Sequence, residues 1–288
     1  MDRSITFEQH RPRLFGIAYR MLGSRADAEG ILQEAYLRWH RATVEEIRSA
    51  EAWLVTATTR LSIDRLRVAR EAREVYVGPW LPEPLMSEVS PPADAPLDVA
   101  SSLSIAFLVV LERLAPEERA AFLLHEVFDS DYVEIAQVLG KSEAACRQIV
   151  SRARKRVREN RPRVEVSEVA RRALLDRFVN AVQTQDKEAL LALFAESATW
   201  TSDGGGKARA ALKIIRGRDH VVRFVLGVLS PHLDEFSFSP VTVNNEAGIA
   251  IRANGKLFSV ICARTDGVRI LDIFTVLNPD KLQESRIR

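Results

Sequence analysis

The 288-residue sequence predicts a multidomain protein in which two all-α parts, the second containing a helix-turn-helix, precede an α+β part. Three observations predict this class. Apolar residues recur at three- and four-residue spacing over 28–39 and 51–74, which is typical of helix faces. Segment 74–99 holds six of the twelve prolines, five acidic residues and no basic residue. After about residue 168, alternating apolar segments separated by Asn- and Gly-containing turns indicate a sheet.

Composition excludes several protein classes. Apolar residues make up 47% and charged residues 28% of the chain, as in globular proteins. The longest stretch without a charged residue, 99–111, is shorter than the ~20 residues that span a bilayer, and the first residues lack a signal-peptide core. We therefore expect a cytoplasmic protein that does not contact membranes. The two cysteines, Cys146 and Cys262, show no ligand spacing, so neither a metal nor another cofactor is predicted.

The first part of the chain reads as helices followed by a linker. One helix is predicted from Ala28 to Trp39, with Asp27 as its N-cap. A second is predicted over 51–74, and its arginine-rich polar face fits either a solvated surface or a nucleic-acid surface. Because prolines remove backbone donors and restrict their neighbours, 74–99 is interpreted as an interdomain linker.

Residues 131–157 carry the strongest functional signal. A short helix from Tyr132 ends at Gly140, and Ser142 can cap the next helix, which is the pattern of a helix-turn-helix. Residues 142–163 hold eight basic and two acidic side chains, so DNA binding is favoured over a merely solvated basic face. The candidates for DNA contact are Ser142, Glu143, Ala144, Arg147, Gln148 and Ser151 near base edges, and Arg152, Arg154 and Lys155 near phosphates.

The last part of the chain is predicted to be α+β, with two or three helices on one face of a curved antiparallel sheet. Helices are expected over 169–182, 187–194 and 218–229, and strands at about 197–202, 236–244, 248–253, 256–264 and 268–277. Polar residues such as Asp203 and Asp272 form no recognisable catalytic pair, so no catalytic residue is assigned. The glycines of 204–206 before Lys207 fit a flexible loop better than a phosphate-binding nest.

The order of these motifs resembles a known family. LFGIAYRMLGSRADAEGILQEAYLRWHRA, AWLVTATTRLSIDRLR and LAPEERAAFLLHEVFDSDYVEIAQVLGKSEAACRQIVSRARKRV are similar to bacterial extracytoplasmic-function sigma factors over roughly residues 5–160. GPWLPEP at 78–84, DGGGK at 203–207 and NPDKL at 278–282 resemble the subgroup with a fused SnoaL-like (nuclear transport factor 2-like) cone domain. The resemblance implies sigma region 2 at 1–73, the acidic linker at 74–99, sigma region 4 at 100–163 and a SnoaL-like regulatory domain at 168–288.

The resemblance implies an alternative sigma factor, not an enzyme, that binds core RNA polymerase and directs promoter-specific transcription initiation in a stress response. Region 2 would dock on the clamp helices of the large polymerase subunit and bind the melted −10 element, while the helix-turn-helix would read the double-stranded −35 element. The implied polymerase contacts are Leu32, Gln33, Glu34 and Leu37, and the implied −10 contacts are Arg60, Ser62, Asp64, Arg65 and Arg67. Many members carry Asp at the place of Gly30 and Asn at the place of Arg60, and Asp64 fits a structural ion pair equally well.

The fused domain is expected to regulate the sigma domains, with a small ligand in its cavity as a possible signal. The regulatory contacts are expected at Trp80, Leu81, Pro82, Glu83 and Pro84, at Asp203, Gly204, Gly205, Gly206 and Lys207, and at Asn278, Pro279, Asp280, Lys281 and Leu282. Trp80 fits either a docking anchor or an incidental residue of a spacer. Two alternatives stay open: a ligand-sensing helix-turn-helix regulator that does not join polymerase, and a SnoaL-like enzyme with a vestigial DNA-binding part.

Overall fold

The structure is a computed structural model that describes residues 2–43, 47, 49–87, 103–159, 166–229, 231 and 233–282. Its described residues divide into two compact units. The first unit comes from Met1–Val75 and Val110–Arg161, and the second from Tyr76–Val109 and Pro162–Arg288.

Three long helices begin the first unit: α1 (Arg3–Leu22), α2 (Arg25–Arg41) and α3 (Ala50–Glu74). Their apolar faces meet in a core that includes Leu14, Leu32 and Leu54. The N-cap of α2 is Ser24, whose hydroxyl accepts from the backbone N–H of Asp27 at 3.2 Å. The prediction that Asp27 caps this helix is therefore wrong, because its carboxylate instead accepts from Arg65.

Four shorter helices follow in the chain: α4 (Ile105–Leu111), α5 (Pro116–Glu126), α6 (Tyr132–Leu139) and α7 (Glu143–Arg158). Pro116 takes the first position of α5, where its missing N–H costs no hydrogen bond. Gly140 ends α6 in the left-handed region, with φ of 63°, and Ser142 caps α7 through the N–H of Ala145. The predicted helix-turn-helix is confirmed at each of these positions.

The second unit is a seven-stranded sheet with helices. Along the chain it contains β1 (Met86–Ser87), α8 (Glu168–Gln183), α9 (Lys187–Leu193), β2 (Phe194–Asp203), β3 (Ile215–Arg216), α10 (Arg218–Leu229), β4 (Phe236–Val243), β5 (Glu246–Ala253), β6 (Lys256–Thr265), β7 (Ile270–Val276) and a 3-10 turn (Pro279–Lys281). The strand order is β1-β4-β5-β6-β7-β2-β3. The pairing of β2 with β7 is parallel and the other pairings are antiparallel, so the sheet is mixed rather than antiparallel throughout.

Both faces of the sheet are covered. One face packs against α8 and α10 through aromatic side chains, and the ring centroids of Phe178 and Trp200 lie 6.2 Å apart. The other face packs against Leu81, Ile105 and Leu282. The beginning of the predicted linker therefore belongs to this unit, where Met86 pairs with Val243 of β4. The remainder of that segment, 88–99, lies outside the described residues.

Candidate nucleic-acid interface and linker contacts

The recognition helix α7 turns one face into the core and leaves the other exposed. Cys146, Val150 and Ala153 are buried. The predicted contact residues lie on the opposite face, where Ser142, Ala144, Arg147, Gln148, Ser151, Arg152 and Lys155 are exposed and Glu143 and Arg154 are half-buried. This division follows from helical periodicity, since the buried positions recur every three or four residues. The result is an exposed ridge that is rich in cationic side chains.

The arginines on this ridge differ in their partners. Arg154 pairs with Glu126 of α5, and Arg156 donates to Glu118 at 2.6 Å. Arg152 has no hydrogen-bond or ion-pair partner among the described residues. The pairing with Glu126 raises the pKa of Arg154. The charges of Arg154 and Arg156 are therefore partly neutralised by α5, whereas Arg152, which lines a groove with Glu117 and Glu118, forms no ion pair among the described residues.

Arg147 is held on two sides. Its Nη2 atom donates to Glu143 Oε2 at 2.8 Å, one helical turn earlier. Its guanidinium carbon lies 5.1 Å from the centroid of the Tyr132 ring of α6. Helix α6 thus contributes a side chain to the exposed face of α7, a contact that sequence analysis missed.

The arginines of α3 make contacts within the first unit. Arg60 donates from Nε to the carbonyl of Val138 at 2.9 Å and from Nη2 to that of Gln137 at 2.7 Å. Arg65 donates to Asp27 at 2.6 Å. Arg60 therefore binds the C-terminal end of α6, where unpaired carbonyls carry partial negative charge.

Arg67 forms a further link from α3. It pairs with Asp64 at 2.9 Å and with Glu117 of α5 at 3.0 Å. Lys141, in the turn of the helix-turn-helix, also pairs with Glu117, at 3.2 Å. Asp64 thus takes part in an ion pair, which is one of the two roles that the sequence allowed it. Glu117 pairs with Arg67 of α3 and with Lys141 of the helix-turn-helix, so it links two predicted DNA-binding elements.

Two predicted contact residues are buried. Ser62 is fully buried, and its hydroxyl donates to the carbonyl of Thr58 at 2.8 Å, so it offers no surface to DNA. Leu32 is also buried, on the inward stripe of α2 with Ala28 and Ala35. Both predictions are corrected here, since neither side chain reaches the exposed face. Gln33, Glu34 and Leu37 are exposed on α2, and Leu37 retains 47% of its surface.

A buried ionic cluster links α3 to the start of α5. Glu112 pairs with Arg73 and with Arg119, the latter at 2.8 Å, and Arg119 is 1% exposed. Arg119 also donates to the carbonyl of Met21 at 2.7 Å, and Arg73 to that of Leu22. Burial acts to raise the pKa of Glu112, but the charges of Arg119 and Arg73 outweigh it and the pKa is lowered. Sequence analysis did not identify this cluster.

In the second unit, Asp203 is the centre of a buried network. Its side chain is inaccessible to solvent and accepts from the Tyr76 hydroxyl at 2.6 Å, the backbone N–H of Leu81 at 2.8 Å and Nζ of Lys281 at 2.7 Å. Lys281 also donates to the carbonyl of Leu81 at 2.6 Å, and its Nζ lies 4.4 Å from the Trp80 ring centroid. Burial, with the hydrogen bond to Asp203, raises the pKa of Tyr76. The three predicted motifs thus meet at one carboxylate.

The glycines after Asp203 lie in close packing, so the flexible-loop interpretation is wrong. A Cβ on Gly204 would lie 2.4 Å from the carbonyl oxygen of Ala208, and one on Gly205 would lie 2.3 Å from Nδ2 of Asn278. Gly205 also has a φ of 57°, which disfavours other residues. Lys207 reaches Asp280 at 2.5 Å. In the other two motifs, Pro82, Glu83, Pro84, Asn278 and Leu282 are buried, and Pro279 is exposed.

Asp272, the other carboxylate considered as a catalytic group, also makes structural contacts. Asp272 accepts from Thr199 at 2.5 Å and pairs with Arg264.

A cleft of about 160 Å³ opens between α8 and β4–β5, lined by Arg172, Leu175, Asp176, Val179, Asn180, Gln183, Phe238, Ser239, Pro240, Ala247, Gly248 and Ile249. The described residues include no group of three His, Cys, Asp or Glu side chains placed to hold a metal ion. None of the helices in the described part of the chain has the length and apolarity needed to cross a membrane.

Comparisons with known proteins agree with this architecture. The family model for sigma-70 region 2 matches residues 6–72, the model for sigma-70 region 4 matches 104–157, and the model for a SnoaL-like domain matches 175–277. Each match falls on a part described above: the helices α1–α3, the helix-turn-helix with the helices before it, and the sheet with its covering helices.

Two curated relatives and one solved structure cover nearly the whole chain. The ECF RNA polymerase sigma factor SigJ of Mycobacterium tuberculosis H37Rv is 38% identical, over 98% of this chain and 94% of the relative. The probable ECF RNA polymerase sigma factor SigI of the same strain is 29% identical, over 98% of this chain and 96% of the relative. The crystal structure of the M. tuberculosis SigJ protein covers 96% of both chains with a TM-score of 0.75.

Proposed function

Because the chain belongs to the extracytoplasmic-function (ECF) RNA polymerase sigma factors, we propose that it joins core RNA polymerase and directs initiation at promoters with two recognition elements. The main support for this proposal is the exposed cationic face of α7. It combines residues that can read base edges, such as Arg147 and Gln148, with Arg152 and Lys155, which suit phosphates. We assign duplex recognition of the −35 element to this face.

We assign recognition of the −10 element to the exposed side of α3. Arg60, Arg65 and Arg67 lie on that side, with Asp64 beside them. Holding an unstacked base costs a few kcal/mol, and duplex binding by α7 offsets part of that cost when one chain holds both elements. Ser62 has no place in this assignment, because it is buried.

The contact with polymerase is assigned to α2. Gln33, Glu34 and Leu37 form an exposed strip, and an exposed leucine between polar residues suits a helical partner surface. We propose the clamp helices of the large polymerase subunit as that surface. Leu32 supports the strip from within the core.

The first unit supports a closed resting state. Arg60 and Arg67, which are assigned to DNA, are engaged by α6 and by Glu117 of α5. Promoter binding requires these contacts to break. In the second unit, the network of Asp203 and Lys281 fixes residues 76–81, and we propose that the fused domain regulates initiation by holding or releasing this segment.

We propose that the SnoaL-like domain regulates rather than catalyses. Its interior between helices and sheet is filled by Phe178, Trp200 and Phe224, and Asp203 and Asp272 are paired. If a small ligand acts as a signal, the cleft beside α8 suits one about the size of a single ring. A cytoplasmic location, where core polymerase and DNA are found, follows from the same proposal.

Run-off transcription with core RNA polymerase, on the promoter upstream of the chain's own gene, tests the function. We expect a specific transcript from the full chain. A double variant, Arg147→Ala with Arg152→Ala, should abolish it, whereas Arg177→Ala, an exposed arginine of α8, should not. Failure of the full chain to bind core polymerase would instead favour a regulator that acts without it.

A further inference from the structure

Three side chains form a continuous stack across the helix-turn-helix. The rings of His125 and Tyr132 lie 4.4 Å apart between centroids, and the guanidinium carbon of Arg147 lies 5.1 Å from the Tyr132 centroid. His125 is fixed in turn by a 3.1 Å hydrogen bond between Nδ1 and the carbonyl of Ser130. The stack therefore runs from the C-terminal turn of α5, through the first residue of α6, to the exposed face of α7.

This stack restricts the side chain of Arg147. A guanidinium is planar, and a ring face on one side limits the rotamers that it samples. The 2.8 Å bond from Nη2 to Glu143 fixes the group along the helix axis. That bond uses one of the five N–H donors of the guanidinium, so four remain for a ligand. About half of each side chain, Arg147 and Glu143, stays open to solvent, so the held guanidinium is accessible.

We infer that Tyr132 is a positioning residue for Arg147, and that Arg147 reads a guanine in the major groove of the −35 element. This inference rests on the proposed function and deepens it. Guanine presents two acceptors, N7 and O6, to the major groove, and a planar arginine can donate to both at once. Two parallel hydrogen bonds need a guanidinium of restricted orientation, and the Tyr132 ring on one side together with the bond to Glu143 restricts it.

The comparison with Arg152 shows why Arg147 is assigned to a base. Arg152 stands further along α7, in a groove that Glu117 and Glu118 also line, but it makes no hydrogen bond or ion pair among the described residues, so it is not held in the way that Arg147 is. An unoriented cation suits a phosphate, which accepts from many directions and carries no sequence information. Arg147 is near the N-terminal end of α7, the end that enters the groove in helix-turn-helix proteins.

The test is a promoter library transcribed by the full chain with core polymerase. The −35 region is randomised, the transcripts are sequenced, and base preference is measured at each position. For the wild type we expect one position at which guanine is favoured over adenine by about tenfold. Arg147→Ala should abolish that preference. Tyr132→Leu, which keeps apolar bulk without a ring face, should reduce it to about twofold or less, and Tyr132→Phe should restore it. Arg152→Ala should lower output on all sequences and leave the preference unchanged.

A guanine preference that survives Tyr132→Leu, or the absence of any position that depends on Arg147, would overturn the inference. Either result would leave the sigma-factor function standing, since the wild type would still initiate at specific promoters. If Tyr132→Leu does not fold, the mobility of the Arg147 side chain is measured instead. The readout is the NMR signal of its Nε–H in the full-length wild type and in Tyr132→Phe. Restricted motion in both proteins supports the stack, and free rotation in the wild type overturns it.

Discussion

Nζ of Lys281 lies 2.7 Å from Oδ2 of Asp203, a carboxylate that is entirely shielded from solvent. A carboxylate in such a place is stable as an ion only if it is paired and hydrogen-bonded. Tyr76 and the backbone of Leu81 supply the remaining donors. Two segments far apart in sequence, 76–81 and 278–282, are thus joined at the end of β2.

Lys281→Met should destabilise the second unit strongly, because it leaves the Asp203 charge buried without its cation. We expect a loss of about 3–5 kcal/mol, measured by urea unfolding monitored through tryptophan fluorescence. Lys207→Met is the matched control, since its pair with Asp280 is exposed and should contribute less than about 1 kcal/mol. Equal losses for the two variants would contradict the central role of Asp203.

Glu112→Gln should destabilise the first unit and change its response to acid. The pKa of Glu112 is lowered in the folded protein by Arg119 and Arg73. Because the pKa of Glu112 is lower in the folded protein than in the unfolded protein, where it is about 4.3, the ionised carboxylate stabilises the fold at pH values above the unfolded pKa. This stability is lost as pH falls through the folded pKa. The wild type should therefore lose stability below about pH 4.3, and the variant should lose less over the same range.

Glu51→Gln is the control for Glu112, because Glu51 pairs with Arg13 at an exposed site. It should leave both the stability at neutral pH and the acid response close to those of the wild type. Urea unfolding between neutral and acid pH measures these differences. If Glu112→Gln and the wild type lose stability in parallel on acidification, Glu112 does not carry the effect.

Arg60→Ala should loosen the packing of α3 against α6. It removes two hydrogen bonds to the carbonyls of Val138 and Gln137. Fluorescent dyes attached at Arg41→Cys in α2 and Arg158→Cys in α7 measure the distance between these two sites by energy transfer, and we expect a longer mean distance in the Arg60→Ala variant. Both native cysteines are buried, which limits unwanted labelling. Arg65→Ala is the control. Arg65 lies on the same helix as Arg60, but its partner is Asp27 of α2, not α6, so this variant should leave the distance unchanged.

The local parts of the fold were predictable because short-range chemistry dictates them. Helix α7 follows from the spacing of Cys146, Ile149 and Val150 and from the cap at Ser142. The turn follows from Gly140, which adopts a left-handed conformation at little cost. The Asn244-Asn245 hairpin follows in the same way, since both residues have positive φ.

The contacts between distant segments were not predictable from one sequence. Nothing in the residues around Tyr76 indicates that its hydroxyl meets Asp203, which lies 127 positions later. Glu112, Arg73 and Arg119 look like ordinary surface charges until the helices bring them together. Ser62 was assigned to the −10 element because its segment resembles the family, but a serine can bond to its own helix and lie inside, as Ser62 does.

Leu37 and Leu32 provide the last test, because they lie on opposite sides of the same helix. Leu37→Ala should leave stability within about 0.5 kcal/mol of the wild type and weaken binding to core RNA polymerase. Leu32→Ala should destabilise the first unit by about 2–5 kcal/mol, because it opens a cavity in a packed core. Urea unfolding and surface-immobilised core polymerase measure the two effects separately. Undiminished polymerase binding by a folded Leu37→Ala variant would remove α2 from the proposed interface, because Leu37 is the apolar centre of that strip.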